Sequence, residues 1–135
     1  MNDNVLYWID IAEYDIETAR AMLEARRFLY VAFMCHQAIE KIVKAYYQLI
    51  NNDLPPKTHN LLSLCDKTGL LVKFDENQSA LLDVLNPLNI QARYPEHRER
   101  IMKTLSNERS TEIFLKTEEL FKWIKKELLK KQDSM

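Results

Sequence analysis

His36, Glu40 and Lys44 stand four residues apart in a segment whose apolar positions repeat with helical spacing. On a helix that spacing stacks the three side chains on one face, each a turn above the last. An imidazole, a carboxylate and an ammonium in a row can bind an anion, move a proton or simply pair with one another. Gln37 and Lys41 share the face. A second group follows later: Arg93, Tyr94, His97, Arg98 and Arg100 fall within eight residues. A ribonuclease needs a general base and a cation for developing phosphate charge, and His with Arg supplies both. Surface charge on a solvated loop is the plainer reading of the same residues. Between the two groups, Lys57-Thr58-His59 opens a short helical pattern. A phosphate could sit at such a helix start, or Thr58 could serve only as its cap.

Other chemistries find little support. His36 and Glu40 have a helical ligand-pair spacing, but the Glu-x-x-His pairs of carboxylate-bridged metal bundles are missing, so no metal is expected. Cys35 precedes His36, yet adjacent helical residues point ~100° apart and Cys35 falls on the apolar side. With Gly69 the only glycine, no glycine-rich phosphate loop can be built, and no cofactor is expected. The net charge of −1 gives no general attraction to nucleic acid or membrane. Lys125, Lys126, Lys130 and Lys131 are a local exception, although a cationic helix end also complements the helix dipole.

The elements that must position these groups are helical. Glycine is almost absent, which disfavours hairpins, and Ala, Leu, Glu, Lys and Gln are plentiful. The spacing predicts a first helix from about Asn4 to Ala25, capped by Asp3 or Asn4. A second is predicted from about Phe28 to Asn51, with Val31, Cys35, Ala38, Ile39, Ile42, Val43 and Tyr46 on its apolar side. The opposite face holds His36, Gln37, Glu40, Lys41, Lys44 and Gln48, with Phe33 and Tyr47 intruding. That face is either solvated, with weak intrahelical ion pairs, or covered by a subunit or ligand. Asn51-Asn52-Asp53 and Pro55-Pro56 then force an extended connection.

A short third helix is predicted from His59 to about Thr68, ending at Gly69. A fourth starts near Asp75 and is kinked or interrupted at Pro87, Arg93-Tyr94-Pro95 marks a break, and a last helix runs from near Ser106 past Leu129. The expected fold is an all-α, up-and-down bundle of four long helices plus one short helix, a single domain over residues 1–135. Cys35 and Cys65 are expected as buried free thiols in a reducing compartment. No apolar run approaches the ~20 residues that cross a bilayer, and the polar start is unlike a signal peptide, so a cytoplasmic protein is expected.

Four segments in the same order carry a family resemblance over roughly Tyr7 to Leu128. They are Ala12-Glu13-Tyr14-Asp15-Ile16-Glu17-Thr18-Ala19, His36-Gln37-Ala38-Ile39-Glu40-Lys41-Ile42-Val43-Lys44, Lys57-Thr58-His59-Asn60-Leu61 and Arg93-Tyr94-Pro95. Together they resemble the HEPN domain (higher eukaryotes and prokaryotes nucleotide-binding). The resemblance implies a bundle similar to the substrate-binding domain of kanamycin nucleotidyltransferase. It also implies a homodimer and a small nucleotidyltransferase partner, in a toxin–antitoxin or split-transferase arrangement. Many such domains are metal-independent ribonucleases, in which an Arg and a His are separated by four to six residues. Here Arg93 and His97 enclose three, and Pro95 is one of them.

The expected role is therefore a non-catalytic, nucleotide- or partner-binding subunit, with Lys41, Lys44, His59, Arg93, Tyr94 and His97 as contacts. The alternative is a ribonuclease toxin using a non-standard Arg93/His97 pair. Whether nucleic acid is bound is left open.

Overall fold

The computed structural model describes residues 1–135, the side chain of Pro95 excepted. Seven α-helices follow in order: α1 (Asp3–Glu24), α2 (Phe28–Asn51), α3 (Leu61–Thr68), α4 (Glu76–Leu85), α5 (Leu88–Gln91), α6 (Pro95–Thr104) and α7 (Asn107–Asp133). A 3-10 turn, Leu71–Lys73, lies between α3 and α4. No helix among the described residues is long and apolar enough to cross a membrane.

The chain is all-helical, as expected, but its long helices number three rather than four. Pro87 has no N–H for the helical ladder, and α4 stops at Leu85. The expected fourth helix is thus divided into α4 and the single turn α5. The Arg93-Tyr94-Pro95 break is also the start of a helix, α6, which the sequence reading left out. Tyr94 is extended, as a residue before proline must be, and the helix begins at Pro95, where a missing N–H costs nothing.

Side-chain pairs give the helix directions. Lys44 of α2 lies over the Trp8 ring near the start of α1, so α1 and α2 are antiparallel. Glu13 and Arg20 of α1 pair with Lys125 and Glu118 of α7, so these two are antiparallel as well. Phe74, just before α4, meets Trp123 edge-on at 5.5 Å, while Val84 lies near Arg109 and Ile113, which runs α4 against α7. The result is an up-down-up-down course whose third leg is broken.

The core lies along α2. Val5, Ile9, Ala12 and Ile16 of α1 and Ile113, Leu120, Ile124 and Leu128 of α7 close over Val31, Ala38, Ile39, Ile42 and Tyr46. Each stripe has helical spacing, and burial of a side chain of this size contributes roughly 1.5–3 kcal/mol. Cys35 and Cys65 are free and buried, and burial pushes each thiol up to about 12.

Two caps differ from expectation. Asn2, rather than Asp3 or Asn4, accepts from the Val5 N–H at the start of α1. Asn60, rather than Thr58, caps α3 by accepting from the Ser63 N–H. Thr58 instead accepts from the Asn60 N–H, which leaves His59 in the extended segment before the helix.

Candidate functional site

The polar face of α2 is covered by the chain itself. His36 has no exposed surface, Glu40 is 1% exposed, and Gln37, Lys44 and Gln48 are also buried. Neither a bare solvated face nor a free subunit surface describes it. The aromatic neighbours did signal cover, but the cover comes from α1, α5 and the segment before α3.

Glu40 is the centre of this layer. Its Oε1 accepts from Nδ1–H of His59 at 2.8 Å, and its Oε2 accepts from Nζ of Lys44 at 3.0 Å. Lys41 stands 3.9 Å from the same Oε2 and 3.9 Å from Asp15 of α1. Burial by itself would raise the Glu40 carboxyl; the bonds from His59 and Lys44 and the two ammonium charges outweigh it and hold the group below its usual range. Asp15, with less compensation from Lys41, is raised by its burial.

His36 is a different case. Nε2–H donates to the His59 carbonyl at 3.0 Å, so Nδ1 carries the lone pair, 3.8 Å from Glu40. Burial lowers its pKa to about 4, against the pull of the carboxylate. It is a neutral strut between α2 and the segment before α3, and no base exposed to a substrate.

The layer continues toward the start of α2. Lys41 donates to Oε1 of Gln37 at 2.8 Å, and Nε2 of Gln37 donates to Oδ1 of Asn89 in α5 at 3.2 Å. One turn earlier the Arg93 guanidinium lies over the Phe33 ring at 5.4 Å, and a further turn earlier Arg98 lies over Tyr30 at 5.9 Å. Aromatic faces hold guanidinium groups in place without neutralising them.

The expected contacts therefore divide. Lys41, Lys44 and His59 are brought together by Glu40, but Lys44 is buried and spent on that carboxylate. Arg93 and Tyr94 are exposed at the α5–α6 turn. His97 lines a small recess with Arg100, Ile101 and Thr104, while Arg93 lies against Phe33, so the two side chains do not form a pair.

Two features escaped the sequence reading. Arg26 and Arg27, just past the end of α1, line a pocket of about 180 Å³ with Arg98 and Tyr30. None of these three arginines, nor Arg93 or Arg100, is in an ion pair among the described residues. Arg26 reaches its place through a left-handed backbone, φ 60°, in the α1–α2 turn. The second feature is an open groove of about 460 Å³ beside His59, between the start of α3 and the α4–α5 turn. Asparagines at positions 60, 86 and 89 line it. Among the described residues no group of three His, Cys, Asp or Glu side chains could hold a metal ion.

Comparison with known proteins agrees with this frame. No curated protein and no solved structure matched the chain. A family model, HEPN domain, matches residues 5–128. That span takes in α1 from Val5, all of α2 to α6, and α7 as far as Leu128, and the chain belongs to the HEPN domain family.

Proposed function

We propose that this HEPN domain is a non-catalytic binding subunit that takes up a nucleotide through its phosphates and works with a small nucleotidyltransferase. The observation that carries the reading is the convergence of Arg26, Arg27 and Arg98, all without carboxylate partners, on one pocket. Unpaired guanidinium groups on a common recess suit phosphate oxygens, which they bind bidentately. The pocket volume, about 180 Å³, suits a phosphate group better than a whole nucleotide. Arg93 extends the same charge along α2 toward Gln37. The polar groups best suited to proton transfer, Glu40 and His36, are meanwhile engaged inside the fold.

Equilibrium binding of a nucleoside triphosphate to the purified chain tests this. Saturable binding that weakens in Arg98→Ala and falls with added salt is expected. Binding indifferent to both would remove the arginine pocket from the account.

A further inference from the structure

Hydrogen-bond direction in the buried layer decides what the groove beside His59 can offer. Lys41 has donors only, so Gln37 must turn its carbonyl oxygen toward it. Gln37 then presents its NH2 to Asn89, whose oxygen accepts it. The Asn89 NH2 is left over. Asn89 is 5% exposed, lines the groove, and its Nδ2 has no acceptor among the described residues, yet that atom is not sealed from solvent.

The same polarity recurs on the other wall. The Leu61 N–H fixes the Asn86 oxygen, the Asn86 NH2 donates to Asn60 Oδ1, and that oxygen also accepts from the Ser63 N–H. The Asn60 NH2 is therefore a second free donor. On the rim, Asp83 supplies an exposed carboxylate with no hydrogen bond or ion pair among the described residues. Leu62 and Ile90 add apolar surface, both partly open to water.

Two amide donors, one carboxylate and an apolar wall select a flat ligand with an acceptor edge and a donor edge. We infer that this groove binds a guanine base. O6 and N7 of guanine are neighbouring acceptors for the Asn60 and Asn89 amides, and its N1–H and N2–H2 are paired donors for Asp83. Adenine lacks the paired donors, and cytosine offers one amino group to the carboxylate. A volume of about 460 Å³ is in the usual range for small-ligand sites. The inference rests on the nucleotide-binding reading above; the base preference is a property of the groove's own lining, apart from the arginine pocket.

Titration calorimetry of GMP, AMP and CMP into the full chain tests it. GMP is expected to bind about tenfold or more tighter than the other two. Asp83→Asn turns one of two paired acceptors into a donor and removes the charge, at a side chain that holds nothing among the described residues, and should bring GMP and AMP together. Asn89→Asp keeps the acceptor for Gln37 and replaces the free donor, and should weaken GMP binding about tenfold. A tetranucleotide with one guanine, run beside GMP, separates a strand from a free nucleotide as the source, and guanine-dependent binding of either supports the assignment. Equal affinities for all three nucleotides overturn the guanine assignment and leave nucleotide binding standing. A guanine preference that survives in both variants overturns the groove as its location. No binding of any nucleotide removes both this inference and the reading beneath it.

Discussion

Nδ1–H of His59 donates to Oε1 of Glu40 across 2.8 Å, tying the extended segment before α3 to the middle of α2. His59 is half exposed while Glu40 is buried, so the bond runs from the protein surface to its charged interior.

Replacing the carboxylate should cost more than replacing the imidazole. Glu40→Gln leaves the buried Lys44 ammonium without its counter-charge, a loss of about 3 kcal/mol or more. His59→Ala removes one bond at a half-exposed position and should cost about 1 kcal/mol. Urea unfolding of both variants checks the order. Equal losses would show that Glu40 does not bear the charge of the layer.

Stability should rise with pH between about 4 and 6.5, the folded and ordinary values for His36. In that window the unfolded chain binds a proton at His36 and the folded chain does not, so acid favours unfolding. A depression of this size corresponds to about 3 kcal/mol, fully lost once pH falls below 4. Glu40, also lowered, adds a loss that begins below the usual carboxylate value of 4.5. Denaturant midpoints across pH, compared between the wild type and His36→Gln, check this. The variant should lose the upper part of the dependence.

The ribonuclease alternative makes an opposite prediction. Arg93 lies on Phe33 and His97 lines a separate recess, so no metal-independent RNA cleavage is expected from the purified chain. Cleavage that disappears in Arg93→Ala or His97→Ala would overturn the non-catalytic reading.

The proposed partnership is tested by co-expression with a small nucleotidyltransferase. A complex that survives gel filtration at moderate salt is expected. If the complex depends on charge, Arg93→Ala with Arg100→Ala should weaken it, because both side chains are exposed and unpaired. Independent elution of the two wild-type proteins would count against a direct partnership.

The sequence disclosed the helices whose stripes are long. Val5, Ile9, Ala12 and Ile16, or Ile113, Leu120 and Ile124, repeat over enough turns for the period to be unmistakable. It did not disclose α6, because Arg93-Tyr94-Pro95 reads equally as an end and a beginning. Nor could helical spacing tell that the His36, Glu40 and Lys44 face is covered from within. That fact depends on Trp8, His59 and Asn89, which are remote in sequence. Phe33 and Tyr47 hinted at a cover without saying whose. The groove was out of reach for the same reason: Asn60, Asn86 and Asn89 become a donor-rich wall only once Lys41 and the α3 N–H groups have fixed each amide.

Thermal melting of the wild type and of an Arg26→Ala, Arg98→Ala double variant, each with and without saturating GTP, tests nucleotide binding most directly. Both arginines are surface groups outside the core, so the two proteins should melt alike without ligand. A ligand that binds only the folded state at 100 times its Kd should stabilise the wild type by about 2.7 kcal/mol, a clear upward shift that the double variant largely loses. An unchanged wild-type melting temperature, or the same shift in both proteins, would contradict the account.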